Sequence, residues 1–333
     1  MRQRIDELEA ARSVLLDAAR APAIEKLTKR GKLSARTRIA RLVDEGSFCE
    51  VGALVAGGEE DAASVRAKSP ADGVVTGTAL IDGRPVMVVS QDFSVFGGSS
   101  GILGSAKIHR ALQIAITRGV PLVMMLDGGG HRIQDGQDAR HFAKANTTFH
   151  EFARASGWIP MVALMLGAGF AGPTNYAGLS DLVVMVRGQS TMGIAGPALV
   201  KAATGEDIDT MELGGADLQV DRQGIADLGV ANEDEAFAAA RRFLSHLPGN
   251  ARAPQQVATH PRPIPRMEDA LLDLVPISTR KVYDVRKVLA LIADKGSLFE
   301  LKPTFAGNLV TAFARLGGRP VGFIANQALR LGG

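Results

Sequence analysis

Apolar residues at the start of the chain recur at helical spacing, with Ile5, Leu8, Leu15 and Leu16 on one side of a helix expected over 3–20. From residue 73 the texture changes. Residues 73–80 and 85–90 are rich in strand formers, and Asp82-Gly83 between them is a strong two-residue hairpin signal. A unit then recurs: apolar strand, glycine-rich turn, helix. Its first instance is Val86-Met87-Val88-Val89, then Phe96-Gly97-Gly98-Ser99-Ser100-Gly101, then a helix near 105–118. The second is 121–126, then Asp127-Gly128-Gly129-Gly130, then a helix from about 136 to 156. The third is 160–166, then Gly167-Ala168-Gly169-Phe170-Ala171-Gly172, then a helix opened by Pro173. A further strand over 181–186 and a segment at 190–204 follow. Strands alternating with helices predict an α/β fold with mostly parallel pairing.

Residues 248–265 carry Pro248, Pro254, Pro261, Pro263 and Pro265 with few apolar anchors, and read as a linker. Beyond it the chain repeats itself. Val43-Asp44-Glu45-Gly46-Ser47-Phe48-Cys49-Glu50 is echoed by Ala293-Asp294-Lys295-Gly296-Ser297-Leu298-Phe299-Glu300, and Gly83-Arg84-Pro85-Val86 by Gly318-Arg319-Pro320-Val321. Val75-Thr76, Ala79 and Ser90-Gln91 match Val310-Thr311, Ala314 and Ala325-Asn326 in the same order. Such an ordered series is an internal duplication with a domain-sized period, and a short insertion in the first copy accounts for the larger offset of the first pair. The first copy runs on through every glycine-rich unit, whereas the second reaches Gly333 just past its hairpin. The expected organisation is a first domain over 1–247, the linker, and the incomplete start of a second copy over 266–333, without a full core of its own.

Net charge is mild, with 38 Lys+Arg against 35 Asp+Glu in 333 residues, so charge gives no argument for nucleic-acid binding. Cys49 is the sole cysteine, which excludes an intramolecular disulfide and any metal site built on cysteines; no metal is expected. The apolar stretch 159–166 is far short of the roughly 20 residues that span a bilayer. The opening Met1-Arg2-Gln3-Arg4-Ile5-Asp6-Glu7 has no secretory h-region, so a cytoplasmic location without membrane contact is expected. Lys26, Lys29, Arg30, Lys32, Arg36, Arg38 and Arg41 are opposed only by Glu25 in their span. That run is either a solvated helix face or a site for phosphate groups.

Glycine turns between a strand and a helix let a ligand approach unpaired backbone N–H groups, which hold a phosphate or a developing oxyanion. The string Gly167-Ala168-Gly169-Phe170-Ala171-Gly172 fits G-x-G-x-x-G, a weak dinucleotide signal. The acidic residue expected about 20 positions on is replaced by Arg187-Gly188-Gln189, which keeps an NADP-binding oxidoreductase as an alternative. There is no P-loop string. Side-chain acid–base groups are sparse. His131 follows the second glycine run and either exchanges a proton or shapes the pocket. Arg132 reads as a structural partner of Asp135 or Asp138, and Asp127 as a turn or cap residue. His109, His141 and His150 lie on expected helices as surface or packing residues, and Phe170 and Trp158 read as packing residues. A reaction that generates an enolate or thioester oxyanion without a strong side-chain base fits these loops best.

Several strings together resemble the carboxyltransferase (beta) subunit of biotin-dependent acyl-CoA carboxylases of the propionyl-CoA carboxylase and transcarboxylase type. They are Gly31-Lys32-Leu33-Ser34-Ala35-Arg36-Thr37-Arg38-Ile39, Ser90-Gln91-Asp92-Phe93-Ser94-Val95-Phe96-Gly97-Gly98-Ser99 and Gly129-Gly130-His131-Arg132-Ile133-Gln134-Asp135-Gly136. Gly196-Pro197-Ala198-Leu199-Val200-Lys201, Glu212-Leu213-Gly214-Gly215-Ala216 and Ala325-Asn326-Gln327 continue the match over essentially the whole chain. The resemblance implies tandem crotonase-like domains of repeated ββα units, the first binding acyl-CoA and the second carboxybiotin carried by a biotin carboxylase or carrier subunit. It implies a homo-oligomer, a dimer-based hexamer, with the site between the first domain of one protomer and the second domain of its partner. The activity implied is carboxyl transfer from biotin to the α-carbon of a short acyl-CoA such as propionyl-CoA.

By position, Gly129 and Gly130, with Ala171 or Gly172, would form the oxyanion site, the N–H donors being Gly130 and one of the latter two. Gly97 and Gly98 would line the cleft, His131, Gly196 and Pro197 would lie near the acyl group, and Lys32, Arg36 and Arg38 would meet the CoA phosphates. The sequence departs from the family at His131, where Ala is usual, and at Gly169-Phe170-Ala171-Gly172-Pro173, where a Cys-Ala-Gly-Gly-Ala type string is usual. These departures motivate a further alternative, a catalytically silent assembly subunit of the same fold. The lack of a four-cysteine ribbon separates the chain from the zinc-bearing acetyl-CoA carboxylase type.

Overall fold

The computed structural model describes residues 1–55, 65, 67–132, 139–259, 263–264, 267–278 and 280–331. The first helix, α1 (Arg2–Ser13), ends earlier than the apolar spacing predicts and buries none of its residues. Ile5 and Leu8 stay exposed, while Leu15, past the helix end, turns into the core. A short 3-10 turn (Asp17–Arg20) leads to α2 (Ala21–Thr28) and α3 (Ala35–Leu42), the latter capped by Ser34, whose side chain accepts from the Thr37 N–H.

The predicted hairpin is present. β2 (Val74–Ile81) and β3 (Arg84–Gln91) pair antiparallel from Val74↔Gln91 to Ile81↔Arg84, with β1 (Cys49–Val51) outside β2. Past β3 the chain alternates strand and helix: α4 (Ile102–Arg118), β4 (Leu122–Leu126), α5 (Ala139–Ala155), β5 (Met161–Met165), α6 (Gly172–Gly178) and β6 (Leu182–Val186). α7 (Pro197–Thr204), α8 (Thr210–Gly214), β7 (Leu228–Val230) and α9 (Glu233–Ser245) follow, ahead of the proline-rich segment. The strands lie side by side in chain order, β1 to β7, and β3 through β7 run parallel.

A parallel sheet covered on both faces needs apolar residues on both, so its strands read as unbroken apolar runs. β4, β5 and β6 are buried throughout. Alternate residues go to opposite layers: Leu122, Met124 and Leu126 meet Ile108, Leu112 and Phe152. Val123 and Met125 face the other way, toward Ile39, Leu42 and Phe237.

The duplication holds at the level of atoms. The Asp44 carboxylate accepts the Asp82 and Gly83 N–H groups at 3.0 and 2.7 Å, and Asp294 accepts those of Gly317 and Gly318 at 3.2 and 2.6 Å. After α10 (Ala270–Leu274) and α11 (Val285–Ile292), β8 (Phe299–Leu301), β9 (Leu309–Leu316) and β10 (Arg319–Asn326) rebuild the β1–β3 sheet. This second copy leans on the first. Phe299 joins the core layer of Phe237 and Phe243, and His246 stacks between Phe299 and Phe313 at 6.2 and 6.1 Å. Lys302 reaches Asp227 at 2.9 Å and the Gly224 carbonyl at 2.6 Å. The proline-rich segment is tied down as well, since Ala258 donates to the Gly318 carbonyl at 3.0 Å and Arg315 to Gln256 at 2.6 Å.

Candidate functional site

The glycine-rich turns all leave the C-terminal ends of parallel strands, where open α/β sheets place their ligands. The turn after β3 and the turn after β4 are pressed backbone to backbone. A Cβ on Gly98 would stand 2.1 Å from the Asp127 carbonyl oxygen, and one on Gly128 2.0 Å from that of Gly98. Glycine is therefore required at both positions. Ser100 donates to the Gly130 carbonyl at 3.0 Å, Arg132 donates back to Ser100 at 2.8 Å, and the Gly129 N–H points to Gly97 at 3.4 Å. The Gly130 N–H has no acceptor among the described residues.

The turn after β5 faces Gly130, whose added Cβ would lie 3.1 Å from that of Ala171. Ala171 sits at φ 64, ψ −117, a conformation natural to glycine and strained for a residue with a Cβ. Its N–H is already committed to the Gly193 carbonyl at 2.8 Å. Of the expected pair Ala171 and Gly172, Ala171 is thus excluded as an oxyanion donor; Gly172 has a free N–H among the described residues. Gly129, with its N–H turned to Gly97, serves the turn rather than a ligand.

Phe170 packs, as expected. Its ring lies against Gly193, Gly214 and Gly196, where added Cβ atoms would stand 3.0, 3.1 and 3.7 Å away. Gly196 beside this ring is the N-cap of α7 and Pro197 opens it, and both are half-buried. The His131 Nε2 is buried without a hydrogen-bond partner.

The dinucleotide alternative fails on geometry. A Cβ on Gly167 would stand 2.0 Å from Asp127 Oδ1, and one on Gly169 2.6 Å from the Thr191 carbonyl. Protein atoms, not a pyrophosphate, occupy the space these glycines leave. Arg187, the residue considered for a 2′-phosphate, is bound to Asp217 at 2.6 Å and Asp221 at 2.7 Å, and these carboxylates hold its pKa above the ordinary value.

Three cations expected at the CoA phosphates need correction. Arg38 is 1% exposed and bridges Asp127 at 2.9 Å and Glu233 at 2.7 Å. Burial opposes its charge, but the two carboxylates outweigh that and keep its pKa raised. Lys32 closes the same network on Asp127 at 2.6 Å and lies 3.9 Å over the Phe93 ring. Arg36 is bidentate to Glu50 at 2.7 and 3.0 Å. Asp127 is accordingly a buried ion-pair centre rather than a turn or cap residue. Arg132 meets Asp72 at 2.5 Å; Asp135 and Asp138 lie outside the described residues, as does the His141 side chain.

Two cations earlier in the same basic run are differently placed. Lys26 and Arg30 are exposed and in no ion pair among the described residues, whereas Lys29 pairs with Glu25 at 2.8 Å. Lys26 and Arg30 border a cleft of about 480 Å³ with Phe93, Ser94 and Gly97. Lys32, Arg36 and Arg38, the cations expected at the phosphates, are thus all held by carboxylates. The second copy held the missing signal, because Arg286 and Glu300 repeat Arg36 and Glu50.

Among the described residues no cluster of metal-binding side chains forms, and no helix is long and apolar enough to cross a membrane. The chain is 36% identical over 333 residues to the propionyl-CoA carboxylase beta chain of Cereibacter sphaeroides, covering all of this chain and 65% of that protein. It is 38% identical over 327 residues to the methylmalonyl-CoA carboxyltransferase 12S subunit of Propionibacterium freudenreichii subsp. shermanii, covering 98% of this chain and 62% of that one. The chain therefore spans somewhat under two thirds of these relatives' length. Among solved structures, transcarboxylase 12S with hydrolysed methylmalonyl-CoA bound superposes with TM-score 0.90 at 37% identity, over 97% of this chain and 64% of that one. A single-chain long-chain acyl-CoA carboxylase superposes with TM-score 0.88 at 31% identity, over 100% of this chain and 33% of that one. These likenesses run through the duplicated hairpins and the glycine turns alike, and the carboxyl transferase domain model matches residues 26–333, so the chain belongs to the carboxyl transferase domain family, with the crotonase-like fold.

Proposed function

We propose that this chain carries the acyl-CoA half-site of a biotin-dependent acyl-CoA carboxyltransferase. The observation that carries the reading is a pair of N–H groups, on Gly130 and Gly172, left without acceptors among the described residues on facing turns, the first of which is bonded through Gly129 to Gly97 at the rim of the cleft edged by Lys26 and Arg30. A thioester whose α-carbon is being carboxylated places negative charge on its carbonyl oxygen. Fixed N–H donors aimed at that charge stabilise it without reorganisation, and loss of one such donor costs about 10²–10³ in turnover. Gly97 lines the cleft and lets the ligand approach the backbone, whereas Gly98, expected beside it, is buried against the Asp127 and Gly128 main chain; Lys26 and Arg30 meet the CoA phosphates. Propionyl-CoA is the acyl substrate that the relatives' chemistry favours, with Gly196, Pro197 and His131 around its short chain.

Biotin would arrive on a partner subunit and supply the carboxyl group. Among the described residues the second copy offers the β9–β10 hairpin, and no biotin contact is assigned to it. Its counterpart of Gly97-Gly98 is Gly332-Gly333, outside the described residues. A dimer-based hexamer in the cytoplasm is the matching assembly.

Calorimetry with propionyl-CoA and free CoA tests the reading: binding of both, tighter for the thioester, is expected, and no heat with either overturns it. A second reading, a silent assembly subunit, is favoured by the committed Ala171 N–H and the Phe170 ring held among glycines. Formation of methylmalonyl-CoA by the full protein with its biotin partner would eliminate it.

A further inference from the structure

Asp72 lies outside every glycine turn, yet much of the local structure is arranged around it. It is buried, and it stands in a run of left-handed backbone: Ala71 at φ 51, Asp72 at φ 50 and Gly73 at φ 73. Left-handed conformations in two successive residues with a Cβ persist only where surroundings over-determine them. Here they do. Lys107, itself buried in α4, donates through Nζ to the Ala71 carbonyl at 3.1 Å and to the Val74 carbonyl, bracketing the turn. The Asp72 carboxylate accepts from the Gly104 N–H at 2.6 Å and from Ser69 Oγ at 3.0 Å.

Its remaining bond leads to the site. Arg132 Nη1 reaches Asp72 Oδ1 at 2.5 Å, and Arg132 Nη2 reaches the Ser99 carbonyl at 3.3 Å. The guanidinium lies 4.8 Å over the exposed Phe96 ring. The space is reserved for this pair, since a Cβ on Gly101 would stand 2.4 Å from both Arg132 Nη1 and Asp72 Oδ2. The Arg132 and Ser100 main chains are also joined, and Ser100 holds the Gly130 carbonyl at 3.0 Å. One side of the Gly130 peptide segment is therefore clamped, through Arg132, to a rigid turn on the far side of the β3 loop.

We propose that Asp72 is a positioning residue that acts through Arg132 to fix the direction of the Gly130 N–H toward the acyl oxygen. The inference rests on the oxyanion reading above and deepens it. A carboxylate is needed because its two oxygens accept from Gly104, Ser69 and Arg132 together, the last as a charge-assisted bond.

The test compares propionyl-CoA with S-propyl-CoA, the thioether that lacks the carbonyl oxygen, and with free CoA, by calorimetry on the whole chain. The wild-type protein is expected to favour propionyl-CoA over the thioether by about tenfold, the worth of one hydrogen bond to a neutral carbonyl. Asp72→Asn and Arg132→Lys are expected to reduce that preference to about twofold or less while free CoA binds as before. Asp72→Glu, which keeps the charge, is expected to recover part of it. If Asp72→Asn does not fold, Arg132→Lys decides. Folded variants that keep the wild-type preference overturn the proposal and leave the oxyanion reading standing. Loss of free-CoA binding in step with the thioester overturns it too, because the role is then merely structural. A wild-type chain without any preference for the carbonyl removes the oxyanion reading itself, and the proposal with it.

Discussion

The Arg36 guanidinium holds the Glu50 carboxylate through two bonds, Nη1 to Oε2 at 2.7 Å and Nη2 to Oε1 at 3.0 Å. The second copy repeats the clasp, with Arg286 on Glu300 at 2.6 and 2.8 Å across the same 14-residue separation. An ion pair that recurs in both copies of a duplicated unit belongs to the unit's architecture, here joining the helix before the sheet to its edge strand. Arg36→Met is expected to lower stability by about 1–3 kcal/mol, the worth of hydrogen bonds to a charged group, with CoA affinity unchanged. Thermal melts and calorimetry with CoA check it. A folded variant with weakened CoA binding would return Arg36 to the phosphate site.

Patterning carried most of the fold. Alternation and apolar runs located β2 to β6, and Asp82-Gly83 located the hairpin, because those signals arise from local backbone chemistry and from burial on both sheet faces. Partnerships across the fold were illegible. Asp127 looked like a turn residue from its glycine neighbours, but Arg38 and Lys32, from the basic run 26–41, close on it in the interior. The early helix is a different failure. Ile5 and Leu8 keep helical spacing, yet no layer of the described structure lies against them, so periodicity forecast a burial that is absent.

The buried network gives a sharp expectation. Asp127 joins Lys32 and Arg38, and Arg38 also joins Glu233, so the charges balance inside the fold. Asp127→Asn leaves cationic charge unopposed where exposure is 0% and 1% on the two sides of the Arg38 bridge. A loss of about 3–5 kcal/mol is expected by chemical denaturation, as for one partner removed from a buried pair. A loss below 1 kcal/mol would mean that water reaches the network.

Ala171 stores strain in the turn that carries Gly172, at φ 64 and ψ −117. Ala171→Gly removes the Cβ and leaves its N–H on Gly193. Relief of a strained left-handed residue exceeds the entropy that glycine adds to the unfolded chain, so a net gain of about 1 kcal/mol is expected. Thioester affinity is expected to stay within about twofold, since the free N–H belongs to Gly172. Denaturant midpoints read the first and calorimetry the second. A loss of stability would show that the Cβ contributes packing larger than the strain.

Lys26 and Arg30 differ from Lys29 in having no carboxylate partner among the described residues. Lys26→Ala and Arg30→Ala are each expected to weaken CoA binding by about tenfold at low salt and by less as salt screens the phosphates. Lys29→Ala, which removes a cation already paired on the exposed surface, is the control and is expected to change affinity by less than about twofold. Equal effects from all three would mean that diffuse charge, not the cleft, attracts CoA.

Lys107 ties folding to alkaline pH. Burial lowers its pKa from 10.5 to about 8, against the pull of Glu50 and Asp72, while its bonds to the Ala71 and Val74 carbonyls need only N–H groups that a neutral amine retains. Below about pH 8 both folded and unfolded chains carry the proton, and the folded one bears the full penalty of a buried charge. Between that pH and the unfolded value the unfolded chain binds a proton the folded chain has released, so stability rises with pH, by roughly 3 kcal/mol if the window were complete. Tyr176 cuts the window short. Burial raises its pKa from 10.0 to about 12, so above pH 10 the unfolded chain loses a proton the folded chain keeps, and stability falls again. Denaturant unfolding across pH 7–11 is expected to give a maximum near pH 10, and Lys107→Met to abolish the rising limb while leaving the falling one. A wild-type profile that is flat from pH 8 to 10 would place Lys107 in contact with water rather than in the turn it brackets.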